Sequence, residues 1–397
     1  MTGTILTLNA GSSSLKFALF EIDPNSGLHS GPSGEIEDIG ASAHLVARKA
    51  DGCVIEDKRW PGAGPDYAQL IESVIAWAEE QLGGNSLIAV GHRVVHGGPD
   101  HDRPQTVTPD LLAALDRLVP LAPLHEPHNI APMRAIAQTR PDLPQIACFD
   151  TAFHHDMPRL ATRLAIPLRY ETEGIRRYGF HGLSYEYIAG KLRELAPALS
   201  KGRVIVAHLG NGASLCAMKD GRSIDTTMGF SALDGLMMGT RCGNLDPGVV
   251  LYLLQQHGMT PEAVEKLLYA QSGLLGVSGI SGDMRALLAS SDLRAREAIA
   301  LFVFRMAREI GALTGSLGGL DGLVFTAGIG EHAPAIRAMV CERLAWLGAR
   351  IDPIANTRND FSIGAPDSRV AIHVIPTNEE LMIARHTLET IAPQSSQ

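Results

Sequence analysis

Short apolar runs alternate with amphipathic segments along most of the chain, and their spacing predicts strands and helices in turn. Residues 4–8 and 15–20 are predicted as strands joined by a small polar turn, and 88–95 predicts a further strand. Later strands are predicted within "PQIACF", "GRVIVAHL", "GASLCAM" and "DGLVF". Because helical patterns separate these strands, the sequence predicts an α/β fold.

Capping residues mark where several helices begin. In "TPDLLAALDRL", Thr108 is the predicted N-cap and Pro109 occupies the first helical position. The segment "TPEAVEKLLYAQSG" repeats this start and is expected to end at Gly273, and a long helix is predicted over about 292 to 314. A last helix, "EELMIARHTLETI", is expected to be capped by Thr377 or Asn378.

Two similar hairpin patterns lie in the two halves of the chain. "GSSSL" near the start and "GNGASL" near the middle each stand between two apolar strands, and Ser14 and Ser214 are 200 positions apart. Gly/Ser turns are common in proteins. The interpretation as a repeat therefore depends on where the two patterns lie, which is at the start of each half. It predicts a duplicated α/β domain with a cleft between the halves.

The bulk composition excludes several classes of protein. A length of 397 residues, 45% of them hydrophobic, favours at least two domains. A net charge of −9 without a Lys/Arg block argues against nucleic-acid binding. No apolar run reaches the ~18 residues of a membrane span, and the start lacks the pattern of a signal peptide. Five scattered cysteines without a CxxC pair favour a reducing cytoplasm over a zinc site or disulfides.

Three Gly-rich turns, at 11–14, 210–214 and 328–330, are candidate phosphate sites. Backbone N–H groups in such turns surround phosphate oxygens, and glycine permits their close approach. No GxxxxGK[ST] segment occurs, which argues against a P-loop enzyme, and Lys16 instead follows the first turn inside the next strand. Each turn taken singly is more typical of a plain hairpin, whereas three together favour phosphate binding.

The third turn also fits a different interpretation. Gly328-x-Gly330-x-x-Ala333 follows a strand, opens a helix and has Asp352 about twenty residues further on, as in a dinucleotide fingerprint. Little chain remains after it for the rest of a dinucleotide-binding half. A mononucleotide site at a helix N-terminus explains the pattern equally well, so an NAD-dependent oxidoreductase stays an alternative.

Several charged residues occur where strands end or loops are rich in glycine. Arg93 lies between a strand and a Gly-Gly turn, Asp150 follows a strand, and Arg241 lies in "MMGTRCGNLDPG". Asp150 could equally form an Asx-turn or cap a helix, and His92 and His96 are interpreted as structural rather than as a metal pair. With His181 in "YGFHG", these residues suit phosphoryl transfer, which needs cationic groups and a divalent metal around the phosphate.

In this order, the motifs resemble those of a known family. "LTLNAGSSSLKF", "GHRVVHGG", "FDTAFH", "YGFHG", "AHLGNGASLCAMKDGRSIDTTMG", "MGTRCG", "FTAGIGE" and "PTNEELMIA" resemble the acetate kinases, in the acetate and sugar kinase/Hsp70/actin superfamily. The resemblance runs from Ile5 to about Ile391. It implies a duplicated ribonuclease-H-like fold with an active-site cleft between domains, a homodimer, and the reaction ATP + acetate ⇌ ADP + acetyl phosphate.

The resemblance also implies domain bounds and residue roles. It implies an N-terminal acyl and phosphate domain of 1–150 plus 385–397, and a nucleotide-binding and dimerising domain of 151–384. Matched by motif, the catalytic residues are Asp150, His181 and Arg241, and the ligands of Mg²⁺ (or Mn²⁺) are Asn9 and Glu379. Acyl substrate binding is assigned to Arg93, Val95, Leu124, Phe180 and Ala232. ATP or ADP binding is assigned to Ser12, Ser14, Lys16, His208, Leu209, Gly210, Asn211, Gly212, Asp283, Met284, Arg285, Gly328, Ile329, Gly330, Glu331 and His332.

Some residues depart from the family pattern. Ala232 in "GFSALDGL" replaces a proline expected at the acyl pocket, which could admit propionate at ~1 kcal/mol per methylene. Met284 replaces a common phenylalanine near the adenine, and Ala327 and His332 replace a glycine and an asparagine. Acetate is still expected to be preferred over propionate.

A non-catalytic ATP-driven clamp of the actin/Hsp70 type is a further alternative. The presence of Arg93, Asp150, His181 and Arg241 argues against it.

Overall fold

The computed structural model describes residues 2–11, 14–23, 25–62 and 64–392. The chain forms two compact units, one of Met1–Ala152 with Asn378–Gln397 and one of Phe153–Thr377. The expected boundary at 150 lies within two residues of the first division. The expected boundary at 384 is wrong, because it falls inside the last helix, all of which belongs to the first unit.

The first unit contains an eight-stranded mixed sheet with the order β5-β4-β3-β2-β1-β6-β8-β7. Its strands are β1 Gly3–Ala10, β2 Leu15–Asp23, β3 Gly27–Glu37, β4 His44–Arg48, β5 Val54–Arg59, β6 Leu87–Val94, β7 Gln105–Thr106 and β8 Gln145–Phe149. Its helices are α1 Tyr67–Gln81, α2 Pro109–Leu118, α3 Glu126–Thr139 and the last helix of the chain, α16 Glu379–Ile391.

Side chains of β1 point alternately to the two faces of this sheet and are buried on both. Leu6 belongs to the core formed with α1, in which Phe17 packs edge-on against Trp77 with ring centroids 4.8 Å apart. Its neighbour Ile5 points to the other face and packs with Ala384 of α16. Successive residues of a strand point to opposite faces, so β1 is buried on both sides and its end is held in a fixed position.

The second unit contains a five-stranded mixed sheet with the order β11-β10-β9-β12-β13. Its strands are β9 Arg203–Leu209, β10 Ala213–Lys219, β11 Arg222–Thr226, β12 Gly322–Thr326 and β13 Ala371–Val374. Its helices are α4 Arg159–Thr162, α5 Arg169–Thr172, α6 Gly182–Leu195, α7 Pro197–Ser200, α8 Pro247–Gln255, α9 Pro261–Ala270, α10 Gly273–Ser278, α11 Met284–Ala289, α12 Leu293–Leu317, α13 Ala327–His332, α14 Pro334–Arg343 and α15 Pro353–Thr357. Short 3-10 turns cover Val119–Leu121 in the first unit, Ala152–His154 where the units divide, and Ala345–Leu347 in the second unit.

The two sheets share one five-strand arrangement, which confirms the predicted duplication. In the first, β3-β2-β1 are antiparallel neighbours and β1-β6-β8 are parallel neighbours. In the second, β11-β10-β9 are antiparallel and β9-β12-β13 are parallel. The hairpins with the similar Gly/Ser patterns are therefore β1–β2 and β9–β10, the equivalent hairpins of two copies of one α/β fold.

Most predicted helix starts are confirmed, and two Gly-rich turns need correction. Thr108, Thr260 and Asn378 each accept a hydrogen bond from a backbone N–H of the following turn, and α12 starts after Asp292. The predicted turn over 210–214 is shorter, because Leu209 already pairs with Ala213. The predicted turn over 328–330 is wrong, since these residues lie within the short helix α13.

Candidate active site

Arg93 is the centre of a polar cluster in the first unit. It lies next to the last residue of β6, and Asp150 directly follows the neighbouring parallel strand β8. Parallel neighbours end at the same edge of a sheet, which brings the two side chains together. The Arg93 Nε and Nη2 groups donate to Asp150 Oδ2 at 2.9 and 2.5 Å. The buried Asp150 carboxylate thus binds a guanidinium through Oδ2.

Asn9 and Glu379 complete the cluster. Arg93 Nη1 donates to Asn9 Oδ1 at 3.0 Å, and Asn9 Nδ2 donates to Glu379 Oε2 at 3.3 Å. These bonds, with those to Asp150, use three of the five guanidinium N–H groups. Burial alone would lower the pKa of Arg93, but Asp150 and then Glu379 outweigh it, so the pKa is raised. The Arg93 side chain is therefore permanently cationic.

Glu380 is a site residue that the sequence reasoning missed. Burial raises the pKa of its carboxyl, and the neighbouring Glu379 raises it further, while Lys16 and Asn9 act in the opposite direction. Its signal in the sequence is the doubled glutamate at the start of the last helix in "PTNEELM". Within the part of the chain that is described, no three His, Cys, Asp or Glu side chains form a metal-binding group.

The first Gly-rich turn lies beside this cluster. Lys16 is the cross-strand partner of Asn9 in the β1–β2 hairpin, and it is exposed. Gly11 N donates to Ser14 O at 2.8 Å and closes the turn. Ser12, a predicted phosphate ligand, lies outside the described residues.

In the second unit, His181 and His208 form a stacked pair. Their ring centroids are 4.2 Å apart and the rings are nearly parallel, at 18°. Nδ1 of His181 is 2.8 Å from Ser214 Oγ, and Nδ1 of His208 is 2.8 Å from Ser184 Oγ. His181 is the N-cap residue of α6, with φ of 60° in the left-handed region. Sequence reasoning selected both histidines; it named Ser214 only as part of the second Gly/Ser hairpin and did not select Ser184.

Arg241 and His181 converge over Gly212. A Cβ atom on Gly212 would lie 3.4 Å from Arg241 Nη2 and 3.4 Å from His181 Nε2. Arg241 Nη1 donates to the carbonyl of Ala232 at 2.8 Å, which fixes the guanidinium. Two nitrogen groups thus border the backbone of the β9–β10 turn, an arrangement suited to an anion.

Close backbone contacts hold the loop of Arg241 in place. A Cβ on Gly239 would lie 2.1 Å from Asn211 Oδ1, which any larger residue would displace. Gly243 and Gly273 have φ of 67° and 62° respectively, and a Cβ on either would lie 2.3 Å from a backbone carbonyl oxygen. The glycines around "MGTRCG" therefore serve packing against the β9–β10 turn.

The predicted nucleotide segments have distinct structural roles. Asp283 caps α11 through the Arg285 N–H and also pairs with the Arg285 side chain, both exposed, whereas Met284 is buried. Glu331 uses its carboxylate inside the unit, accepting from Ala327 N at 2.7 Å and Thr377 N at 3.1 Å.

The remaining predicted ATP-binding residues lie along two backbone segments. They are His208, Leu209, Gly210, Asn211 and Gly212 at the β9–β10 turn, and Gly328, Ile329, Gly330 and His332 in α13. Leu209 is fully buried, so only its backbone borders the turn. The side chain of His332 is exposed.

The predicted acyl-pocket residues are divided between the units. Val95 and Leu124 belong to the first unit, and Phe180 and Ala232 belong to the second. Val95, Phe180 and Ala232 are buried, whereas Leu124 is 41% exposed.

Three residues with competing interpretations turn out to have structural contacts. His92 Nε2 bonds to Gln145 Oε1 at 2.9 Å, and His96 Nδ1 accepts from Gly98 N at 2.9 Å. Burial lowers the pKa of His92 to about 4, so its ring is neutral. Asp352 accepts from the backbone N–H groups of Ile354 and Ala355 and so caps α15. With Gly328 and Gly330 inside a helix, the dinucleotide fingerprint is therefore not formed.

Known proteins resemble this chain over nearly its whole length. The sequence profile of the acetokinase family matches residues 4–385. An acetate kinase of Rhodopseudomonas palustris is 56% identical over 391 residues, covering 97% of this chain and 98% of that protein. One from Nitrobacter hamburgensis is 50% identical over 394 residues, covering 99% and 97%.

Solved structures give the same result. A propionate kinase of Francisella tularensis matches with a TM-score of 0.90 at 39% identity, covering 98% of this chain and 100% of that one. An acetate kinase of Porphyromonas gingivalis matches with a TM-score of 0.86 at 34% identity, covering 98% and 100%. Each match extends over nearly the whole chain, so both units are included. The chain belongs to the acetokinase family.

Proposed function

We propose that the protein is an acetate kinase, which transfers the γ-phosphoryl group of ATP reversibly and directly in line to acetate, giving acetyl phosphate and ADP. It is a phosphotransferase with a carboxyl group as acceptor. The observation that carries the proposal is the convergence of Arg241 Nη2 and His181 Nε2 over Gly212. Such a pair places positive charge and hydrogen-bond donors where charge spreads over a transferring phosphoryl group.

Asp150 is proposed to orient Arg93 rather than to act as a base. The acceptor acetate is already ionised at neutral pH, so its attack on phosphorus requires no proton removal. Asp150 holds two N–H groups of Arg93, and the guanidinium keeps two further N–H groups for the substrate carboxylate. In this role Asp150 fixes the direction from which the acetate is held.

His181 and Arg241 are proposed to stabilise the transition state. The transferring group carries its charge on three equatorial oxygens, and fixed donors contribute several kcal/mol in a site that excludes water. The Arg241 guanidinium is held by the Ala232 carbonyl, so it needs no rearrangement to meet that charge. Ser12, Ser14 and Lys16 are proposed to face the phosphates from the β1–β2 turn.

Mg²⁺ is proposed to be held by Asn9 and Glu379, with Glu380 beside them. An amide oxygen and carboxylates are the oxygen ligands that Mg²⁺ prefers, and a few protein ligands suffice because phosphates and water supply the others. Mn²⁺ would fit the same donors. The ion would supply neutralising charge to the phosphates. Asn9 also fixes Arg93 by accepting from its Nη1, and Glu379 Oε2 lies 3.9 Å from Arg93 Nε.

The nucleotide is proposed to bind along the backbone of the β9–β10 turn, α11 and α13. Gly328 has no neighbour within 4 Å of the place of a Cβ, so this backbone is open to a ligand. Asp283 and Arg285 offer exposed polar groups at the start of α11. Glu331 is proposed to act indirectly, because its carboxylate ties Ala327 to Thr377.

Acetate is proposed as the preferred acyl substrate, bound by Arg93 with its methyl group against Val95, Leu124, Phe180 and Ala232. The alternative is a preference for propionate, favoured by Ala232 in place of a proline. The gain from one extra methylene is ~1 kcal/mol, a factor of about five in kcat/KM.

The proposal is tested by incubating the protein with ATP, Mg²⁺, hydroxylamine and acetate, propionate or butyrate, and measuring hydroxamate. We expect the highest kcat/KM with acetate and loss of activity in Arg241→Ala. Higher kcat/KM with propionate would establish the alternative. The absence of hydroxamate with all three acids would contradict the proposed function.

A homodimer in the cytoplasm is also proposed. None of the nine residues of α8 is buried, although the helix consists mainly of apolar residues, and Leu251 is 53% and Tyr252 56% exposed. An apolar face of this kind is typical of a surface covered by another protein, and we propose that a second copy of the chain covers it.

Among the described residues no helix is both long and apolar enough to span a bilayer.

A further inference from the structure

A chain of buried hydroxyl groups leads to the ring of His181. Tyr185 OH lies 2.6 Å from Ser214 Oγ, and Ser214 Oγ lies 2.8 Å from His181 Nδ1. Ser214 and Tyr185 are both 0% exposed, and His181 is 8% exposed. Neither hydroxyl has a role in the proposed function, and both are shielded from water.

Secondary structure fixes the three groups relative to each other. Tyr185 follows His181 by one turn of α6, and its N–H donates to the His181 carbonyl at 3.1 Å. Ser214 lies on β10 opposite His208 of β9, the residue whose ring stacks on His181. The hydroxyl chain therefore connects a helix and a hairpin that both border the Arg241 loop.

We propose that Ser214 and Tyr185 are positioning residues that set the tautomer of His181. In this arrangement Tyr185 donates its proton to Ser214 Oγ, and Ser214 donates its own proton to Nδ1. The ring proton of His181 is then on Nε2, the atom that faces the point shared with Arg241. His181 consequently presents a hydrogen-bond donor, not a lone pair, to an anion at that point. The inference rests on the proposed role of His181 in phosphoryl transfer.

The stacked ring of His208 supports this direction of donation. Two imidazolium rings 4.2 Å apart would repel each other, which favours a pair in which at least one ring is neutral. Ser184 contacts Nδ1 of His208 just as Ser214 contacts Nδ1 of His181. A hydroxyl donating to Nδ1 favours the neutral ring with its proton on Nε2, because a ring protonated at Nδ1 cannot accept that bond.

The first test is the kinetic effect of Ser214→Ala in the hydroxamate assay. We expect kcat to fall about 10-fold, the effect of one hydrogen bond of ordinary strength. KM for acetate and for ATP should change by less than about 2-fold, because the bond acts on the transition state. Tyr185→Phe keeps the ring and removes only the hydroxyl, and should lower kcat by a smaller factor.

A double-mutant cycle distinguishes positioning from a general loss of structure. If Ser214 acts through the His181 ring, Ser214→Ala should change kcat by less than about 2-fold in a His181→Ala background. An equal loss of kcat in both backgrounds would overturn the inference. Should Ser214→Ala fail to fold, the same cycle is run with Tyr185→Phe.

A spectroscopic measurement reads the tautomer directly and does not depend on activity. In protein labelled with ¹⁵N-histidine, His181 should show a protonated Nε2 and an unprotonated Nδ1 in ¹H–¹⁵N spectra. Ser214→Ala should convert this to a mixture of the two tautomers. A wild-type ring protonated at Nδ1 would contradict the inference even if the kinase activity is present, whereas missing activity with the expected tautomer would contradict only the proposed function.

Ser223→Ala is a matched control for the loss of a buried serine. Ser223 Oγ lies 2.8 Å from Nδ1 of His154, a serine–imidazole contact of the same length in the same unit. His154 stays held by the carbonyl of Phe180 at 3.0 Å. The control should lose stability but keep kcat within about 2-fold of the wild type.

Discussion

At the scale of single residues, Ala327 occupies a backbone conformation that alanine rarely adopts. Its φ is 62°, in the left-handed region, where the Cβ atom approaches the following carbonyl. The bond from Ala327 N to Glu331 holds the residue there at the start of α13. The surrounding contacts therefore offset a local conformational cost of about 1 kcal/mol.

Ala327→Gly is expected to stabilise the protein by up to about 1 kcal/mol, because glycine adopts this conformation without the Cβ clash. The greater freedom of glycine in the unfolded chain offsets part of the gain. The measurement is the midpoint of urea unfolding. The same substitution at Ala286, inside the helix α11 and exposed, should destabilise by about 1 kcal/mol. A loss of stability in both variants would contradict the strain at Ala327.

A second single-residue feature is the buried carboxyl of Glu126 at the start of α3. The residue is 0% exposed, and burial raises the pKa of its side chain to about 8. The backbone of His96 lowers the pKa somewhat and the charge of Asp150 raises it. Between about pH 4.5 and 8 the folded state therefore holds a proton that the unfolded chain has released. The free energy of unfolding must fall as the pH rises through this range.

Glu126→Gln should remove this pH dependence, since glutamine is neutral at every pH. At pH 5.5 we expect the variant and the wild type to have similar Tm values. At pH 8.5 the Tm of the variant should be higher by about 5 °C or more, because one kcal/mol of stability shifts Tm by roughly 2–4 °C. Thermal unfolding at several pH values measures the difference. Glu72→Gln, on an exposed position of α1, should show the same small change at both pH values. A difference between Glu126→Gln and wild type that is constant with pH would exclude a raised Glu126 pKa.

At the scale of secondary-structure elements, Arg337 connects the three short helices near the proposed nucleotide site. Its buried guanidinium donates to the carbonyls of Gly330 and Glu331 at the end of α13. It also donates to Asn356 of α15, at both the side chain and the backbone, and to Asn359. Arg337 itself belongs to α14, so one side chain connects the ends of two other helices and satisfies the carbonyls of Gly330 and Glu331 in the last turn of α13.

Arg337→Lys is expected to destabilise the protein by about 3 kcal/mol, because a single ammonium group cannot reach this set of acceptors and leaves buried carbonyls unsatisfied. KM for ATP should rise with it, since α13 loses its fixed end. Urea unfolding and steady-state kinetics measure the two effects. Arg343→Lys, at the exposed end of the same helix, should alter neither by more than a small amount. Equal stability of the two variants would contradict this role of Arg337.

Elements with a local signal were predictable, and those that depend on distant contacts were not. Thr108, Thr260 and Asn378 cap the helices that they were predicted to cap, because a cap is a contact within four residues. Residues 328–330 were predicted as a turn from their glycines, yet bonds from Arg337 and Glu331 hold them in a helix. Likewise, Arg337 resembles an ordinary polar residue in sequence, and Ser214 was noted only as part of a hairpin. The hydrogen-bond partners of both become clear only in the packed fold.

At the scale of the whole molecule, α8 leads to a prediction about assembly. Leu251→Glu places a charge on the exposed apolar face of α8 and should convert the proposed dimer to a monomer. Analytical ultracentrifugation measures the change in mass. Leu160→Glu, at a position that is 91% exposed on α4, should leave the mass unchanged. A wild-type protein that sediments as a monomer would contradict the proposed homodimer.

The duplicated fold was predictable from sequence because each copy carries its own Gly/Ser hairpin between apolar strands. The position of the last helix was not predictable from sequence. Helix α16 follows the second unit in the chain but packs on β1 and β6 of the first unit. The fit is close: a Cβ on Gly91 of β6 would lie 2.2 Å from Thr387 Oγ1 of α16. Only the assembled sheet makes that contact visible.

The order of synthesis gives the position of α16 a consequence for how the protein matures. A ribosome completes Phe153–Thr377 as one continuous stretch, so this unit has all of its residues before α16 is made. The first unit, although translated first, must wait with one face of its sheet uncovered until Ile383 and Ala384 arrive. Glu379 arrives with the same helix and completes the polar cluster around Arg93. A chain whose translation stops early therefore lacks both the cover of its first sheet and a ligand of its proposed metal, so structural completion and catalytic competence are reached together.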